Sequence, residues 1–85
     1  MKPEHIRLFV KPGCGWCRQA QDWLDQKGIR YDVIDVMADR AGRKEMRQLS
    51  GQTLAPVLDA DGRILADFDT DQLARFWKQF EDEHG

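Results

Sequence analysis

Cys14 and Cys17 are the two cysteines of the chain, and they stand three apart in the run Lys11-Pro12-Gly13-Cys14-Gly15-Trp16-Cys17. A thiolate attacks a disulfide sulfur, and a second thiol close by can then resolve the mixed disulfide that results. Such a pair works if the first sulfur is exposed and the second is held just behind it. A helix that begins at this point supplies both conditions. Its N-terminus carries unsatisfied N–H groups and the positive end of the dipole, which favour a thiolate there. The N–H groups of Trp16 and Cys17 are placed to point at the Cys14 sulfur, and Lys11 adds a nearby positive charge. Cys14 is the expected nucleophile, and Cys17, one turn inside the helix, the shielded resolving thiol. Gly13 and Gly15 leave room for an incoming disulfide.

Other uses of two cysteines fit less well. A small secreted disulfide framework needs several bridges. Zinc needs two further ligands, and the imidazoles available are His5, at the far end of the first strand, and His84, in the tail. No metal site is expected, and both histidines read as surface residues. An inert pair of buried thiols is the remaining alternative.

The elements that must position the pair follow from the pattern around it. Ile6-Arg7-Leu8-Phe9-Val10 is short, mostly apolar and bounded by Pro3 and Lys11-Pro12-Gly13, which reads as a buried strand. From Gly15 to Lys27 the residues suit a helix, with Cys17, Ala20 and Leu24 on one stripe and Trp16, Ala20 and Trp23 beside it. Gly28 falls where a terminating glycine belongs. Tyr31 to Val36 predicts a second strand. Asp39 is expected to cap a helix over Arg40 to Leu49, stopped by Ser50-Gly51. Val57-Leu58, Asp61-Gly62 and Arg63 to Ala66 predict a hairpin with an Asp-Gly turn. Asp69 or Thr70 can cap a last helix in which Leu73, Phe76, Trp77 and Phe80 share one face. Trp23, Phe76, Trp77 and Phe80 are expected in the core, and Glu81-Asp82-Glu83 to fray. Pro56 opens a strand where its missing N–H is tolerated, and composition by itself reads its peptide bond as trans. Trp16 is either a contact surface for substrate or a shield over the helix start.

The order β-α-β-α-β-β-α makes an α/β fold: a four-stranded mixed sheet with helices on both faces, the first two strands parallel and the hairpin antiparallel. The 85 residues leave room for one small domain spanning 1–85. A hydrophobic fraction of 41% is that of a globular chain rather than a disordered one. Charges of both signs are interspersed to a net −2, so no nucleic-acid partner is expected. No apolar stretch approaches the ~20 residues that span a bilayer. The segment MKPEHIRLFV lacks the apolar run and cleavage site of a signal peptide. A cytoplasmic protein without membrane contact is expected.

On KPGCGWCRQAQDWL, SGQTLAPVL and ILADFDTDQL, the chain resembles the glutaredoxin family from Ile6 to Phe80. A Cys-x-x-Cys pair directly after the first strand is the thioredoxin-like arrangement. The resemblance implies the minimal thioredoxin fold and thiol–disulfide oxidoreductase activity. It makes Pro56 a cis proline facing the active site and gives Ala55 the backbone that pairs with substrate. Thioredoxins proper carry an extra N-terminal strand and helix, for which there is no room before Ile6. For a glutathione site, Lys11 matches the basic residue ahead of the motif, and Trp16 takes the place usually held by tyrosine. Arg43 falls where the family places a side chain for the glycine carboxylate. Asp69 and Thr70 stand at the helix start that receives the γ-glutamyl carboxylate, Thr70 replacing a more usual Asp or Ser. Two segments depart from the pattern. The family's Thr-Val-Pro is Leu54-Ala55-Pro56, and its paired glycines are Ala66-Asp67. Asp67 adds bulk and negative charge near the anionic γ-glutamyl end.

The function so implied is reduction of protein disulfides or glutathione mixed disulfides through the Cys14/Cys17 dithiol, in cell redox homeostasis and electron transport. The expected protein is a monomer with no tightly bound cofactor, supplied with electrons by glutathione or by thioredoxin reductase. One alternative is a redoxin of the same fold reduced by thioredoxin reductase, toward which Ala66-Asp67 leans. The other is a carrier of a bridging 2Fe–2S cluster. Some glutaredoxins with glycine in place of the motif's usual proline, as Gly15 is here, hold such a cluster in a dimer. Cysteines of two monomers and glutathione are its ligands.

Overall fold

In a computed structural model that describes residues 4–82, the chain runs β1 (Ile6–Val10), α1 (Gly15–Gln26), β2 (Asp32–Asp35), α2 (Arg40–Ser50), β3 (Val57–Ala60), β4 (Arg63–Ala66) and α3 (Thr70–Asp82). The sheet order is β2-β1-β3-β4, with β1 parallel to β2 and the other pairings antiparallel. This is the fold class that the sequence predicts. A strand covered on both faces must be apolar on both, which explains the run IRLFV of β1.

The pleat divides that run. Ile6, Leu8 and Val10 join Leu58 and Ala60 of β3 in a core completed by Cys17, Ala20 and Leu24 of α1 and Leu73, Trp77 and Phe80 of α3. Phe9 and Val57 point the other way, to Val36 and to Met46 of α2. Helices α1 and α3 thus share one face of the sheet, and α2 covers the other. No helix among the described residues is long and apolar enough to cross a membrane.

Arg7, the polar break in β1, lies on the α2 face. It stands opposite Asp59 in the β1–β3 register. Its guanidinium donates to Asp59 Oδ2 from Nε at 3.2 Å and Nη2 at 2.6 Å, and it also pairs with Glu45 of α2. The hydrogen bond to Asp59 is the main reason that Arg7 holds its proton more firmly than a free arginine, burial working in the opposite direction. Asp59 is buried, and its other oxygen accepts the Gly62 N–H at 2.8 Å. A buried carboxylate is tolerated when it is paired and hydrogen-bonded in this way.

The Asp61-Gly62 turn has φ of 52° and 91°, the paired positive values of a hairpin turn that matches strand twist. The Asp61 carboxylate accepts the N–H groups of Glu4 and His5, each at 2.8 Å, and these bonds draw its pKa below the usual value.

Several element ends differ from the sequence expectations. Strand β2 covers Asp32–Asp35 rather than Tyr31 to Val36. Tyr31 turns instead to α1, where its hydroxyl donates to Asp25 Oδ1 at 2.9 Å. Helix α1 stops at Gln26 with Lys27 as its cap, and Gly28 follows at φ 68°. Helix α2 continues through Ser50, whose hydroxyl donates to the Met46 carbonyl at 2.6 Å. Asp69 rather than Thr70 caps α3: its carboxylate accepts the Gln72 N–H while Gln72 Oε1 accepts the Asp69 N–H, a reciprocal capping box. Glu81 and Asp82 belong to α3 rather than to a frayed tail, while Glu83 and His84 lie outside the described residues. Trp77 and Phe80 are buried as expected, whereas Trp23 and Phe76 are half-buried at the core's margin. Phe68, which the helical pattern does not reach, is 3% exposed and belongs to the core.

Gly42 marks the closest approach of α2 to the sheet. A Cβ added there would stand 2.5 Å from Ile34 Cγ2. Overpacking of this kind costs ~1–3 kcal/mol, against the ~1 kcal/mol that alanine gains over glycine in a helix. Gly42→Ala is expected to lower the urea midpoint, with a net loss of about 1 kcal/mol. The loss should vanish or reverse in an Ile34→Ala background; an unchanged loss there would place the strain elsewhere.

Candidate active site

Parallel pairing of β1 with β2 aligns Val10 with Asp35, and the antiparallel registers set Phe9 beside Val57 and Val57 beside Ala66. The C-terminal ends of β1, β2 and β4 and the N-terminal end of β3 therefore meet at one edge of the molecule. Every connection that leaves or enters there contributes to one site.

The first is the turn from β1 into α1. Gly13 has φ 75°, a left-handed conformation that side chains rarely adopt, and it brings the Cys14 N–H back to the Lys11 carbonyl at 3.3 Å. Cys14 is the extended N-cap of α1, and its Sγ accepts the Cys17 N–H at 3.1 Å. The sulfur thus fills the role that a serine or aspartate oxygen usually plays at a helix start. Cys14 is half-buried, while Cys17 is 2% exposed and packs among Ala20 and Leu24. Burial foremost, with the hydrogen bond to Cys14 second, pushes the Cys17 thiol up to about 12; a Lys11 backbone bond works in the opposite direction. Trp16, between the two, is 56% exposed and reaches into solvent.

The second connection is the segment from Gly51 to Pro56. Lys11 Nζ donates to the Thr53 carbonyl at 2.8 Å, tying this segment to the turn before Cys14. Gln52 braces it from within, donating to the Leu54 carbonyl at 3.0 Å and accepting the Leu54 N–H. The Ala55–Pro56 bond is cis, as the family resemblance implies and composition by itself does not. Ala55 is half-buried against the same cluster as Cys14, and Pro56 is fully buried.

The third is the junction of β4 and α3. The Asp67 N–H donates to the Pro56 carbonyl at 2.9 Å. Asp67 is exposed at φ 51°, where a glycine would meet no strain. Asp69 and Thr70 follow at the start of α3, both half-buried.

A cavity of about 690 Å³ opens beside the two cysteines, lined on its far side by Arg18, Gln21, Asp22, Asp25, Tyr31 and Asp35. None of these is among the site residues that the sequence predicts. The α1 members recur at helical spacing from Cys14, which is the signal that was available. Desolvation and the bond to Asp25 raise the Tyr31 hydroxyl to about 12. Lys11, Trp16, Ala55, Pro56, Asp67, Asp69 and Thr70 all belong to the connections at the thiol end. Arg43 is placed differently: it stands on the outer face of α2 with Arg40, Lys44 and Arg47, and it does not line the cavity beside the cysteines.

A sequence model of the Glutaredoxin family matches residues 6–65, from the first residue of β1 into β4. This chain belongs to the glutaredoxin family. It is 34% identical over 68 residues to an uncharacterized glutaredoxin-like 8.6 kDa protein of the rubredoxin operon in Clostridium pasteurianum, covering 80% of this chain and 91% of that one. Among solved structures, the thioredoxin-like protein BC3987 superposes with a TM-score of 0.77 at 24% identity, over 82% of this chain and 96% of that one. A buckwheat glutaredoxin in complex with glutathione superposes with a TM-score of 0.62 at 26% identity, over 72% of this chain and 58% of that one. The glutaredoxin fold thus carries a half-buried and a fully buried thiol in one helical turn here.

That asymmetry is testable. Brief treatment of the reduced protein with iodoacetamide near neutral pH is expected to modify Cys14 and spare Cys17, as read by peptide mass spectrometry. Equal labelling of both would show that Cys17 is not held inside. The raised values of Cys17 and Tyr31 also set an alkaline limit. A group whose folded pKa is raised contributes its stability below its unfolded value and loses it as pH rises through the folded one. Folding stability should therefore fall between pH 9, the unperturbed value for Cys17, and about 12. Cys17→Ala should flatten part of that slope in urea titrations.

Proposed function

We propose that this glutaredoxin-family protein is a dithiol thiol–disulfide oxidoreductase in which Cys14 attacks and Cys17 resolves. The observation that carries the reading is the half-exposed Cys14 Sγ at the α1 N-terminus, bonded to the N–H of a Cys17 that is 2% exposed. In the first step the Cys14 thiolate bonds to one sulfur of the substrate disulfide, and the other sulfur leaves as a thiolate. In the second, Cys17 gives up its proton to solvent or to the departed thiolate and attacks the Cys14 sulfur, which releases the remaining substrate thiol. Two electrons pass to the substrate, and a Cys14–Cys17 disulfide remains. Part of the rise in the Cys17 pKa comes from its bond and charge interaction with Cys14. That part ends once Cys14 is tied up in the mixed disulfide, so the resolving thiol is released when it is needed.

Protein disulfides suit the site better than glutathione mixed disulfides. Asp67 presents a carboxylate beside the start of α3, where the resemblance puts the γ-glutamyl end of glutathione, and it stands in place of a glycine at a positive φ. These features favour the reading in which thioredoxin reductase rather than glutathione supplies the electrons.

Cys14→Ser is expected to abolish disulfide reduction. Cys17→Ser should instead accumulate a mixed disulfide on Cys14, visible by mass spectrometry. Full activity in Cys14→Ser would overturn the mechanism. With NADPH and a glutathionylated substrate, turnover should be faster with thioredoxin reductase than with glutathione and glutathione reductase. Asp67→Gly should raise the glutathione-dependent rate about tenfold by removing charge repulsion and bulk. Rapid glutathione-dependent turnover by the unaltered protein would show that Asp67 is no barrier.

A further inference from the structure

We propose that the outer face of α2 docks a carboxylate-rich segment of the protein substrate whose disulfide is presented to Cys14. This rests on the oxidoreductase reading and adds to it the class of substrate. Arg40, Arg43, Lys44 and Arg47 are related by spacings of three (40–43, 44–47) and four (40–44, 43–47), so they form one face of the helix. All four are exposed and line an open groove of about 490 Å³ with Gln48. Among the described residues none of them forms an ion pair. Glu45, the acidic residue of α2, is bonded instead to Arg7 of β1.

The helix holds this face against its own interest. Like charges at i,i+3 and i,i+4 repel, and Arg40–Lys44 and Arg43–Arg47 are both such pairs. Arg40 also stands in the first turn, which holds no acidic residue of its own, at the positive end of the dipole where a cation is unfavourable; the Asp39 carboxylate that caps the helix offsets this in part. Local rules broken without a compensating contact point to a use outside the fold. In a chain of net charge −2, four cations on one helix face are also a marked segregation.

Position ties the face to the thiols. Asp35 lines the cavity beside Cys14 and Cys17, and one turn of chain, held by Ala38 and Asp39 N–H groups on the Asp35 carbonyl, leads from it to Arg40. The cavity itself is lined by Asp22, Asp25 and Asp35 together with Lys11 and Arg18. An acidic flank of a substrate therefore gains no net attraction there and is drawn to the all-cationic face of α2. An 11-residue helix is ~16 Å long, the reach of about five residues of extended peptide. A phosphate backbone is the other polyanion of suitable charge. The net negative charge of the chain, and the shortness of this face beside other cations that are interspersed with acidic residues, favour the peptide.

The test uses two synthetic peptides with the same disulfide-closed loop, one followed by a run of glutamates and the other by a run of glutamines. Pre-reduced protein supplies the electrons, each event converting its dithiol to the disulfide and the peptide disulfide to two thiols. At low ionic strength the glutamate peptide should react about tenfold faster, and added salt should erase the difference. In R40E/K44E/R47E, and in the neutral R40Q/K44Q/R47Q, the advantage should disappear while the rate on the glutamine peptide stays unchanged. Fluorescence anisotropy with a cysteine-free glutamate peptide reads the docking apart from the chemistry. Equal rates with no binding, an advantage that survives in both variants, or binding of duplex DNA in place of the peptide would each overturn the proposal. Binding that the variants lose, with neither peptide reduced, would support the docking face and refute the oxidoreductase reading instead.

Discussion

A sulfur atom caps the first helix, and the rest of the site depends on that bond. The Cys17 N–H donates to Cys14 Sγ at 3.1 Å, so the atom suited to attack also satisfies one of the donors that a helix start leaves open. The bond requires the chain to leave β1, reverse at Gly13 and enter α1 within a few residues. It also requires α1 to be held against the sheet, which Cys17, Ala20 and Leu24 accomplish by packing on Leu8 and Leu58. Stability and reactivity are therefore served by the same geometry. The apolar stripe that anchors α1 is what shields the second thiol.

The sheet registers do the remaining assembly. Because β1 lies between β2 and β3, connections distant in sequence meet at one edge, and a single side chain, Lys11, joins two of them through the Thr53 carbonyl. At the opposite end, Asp61 gathers the N–H groups of Glu4 and His5. The middle is secured by Arg7 between Asp59 and Glu45, which links β1, β3 and α2. Charge is mixed around the cavity by the thiols, where three aspartates stand with Lys11 and Arg18, and is of one sign on the outside of α2. A redox centre of common design is in this way given surroundings of its own.

Much of this was legible in the residues. The Cys14–Cys17 spacing, the apolar run of β1, Asp39 as a cap and Asp61-Gly62 as a turn act through neighbours in sequence, and each stands where local physics puts it. What was misjudged depended on distant groups. Tyr31 has strand character, but the acceptor for its hydroxyl is on α1. Phe68 stands outside any periodic segment and is buried because the junction it occupies folds over the core. Trp23 and Phe76 share a helix stripe with buried residues yet lie at the edge of what the opposite elements cover.

The sequence by itself determined the two thiols, their order of exposure, and the kinds and succession of the elements around them. These follow from backbone preferences and apolar periodicity, which act over a few residues. The assembled fold was needed to settle which segments face Cys14, that Lys11 reaches Thr53, and that α2 keeps its cations unpaired by any described residue. Strand order and register bring those groups together across tens of residues, and pairwise contacts at such separations leave no trace in local pattern.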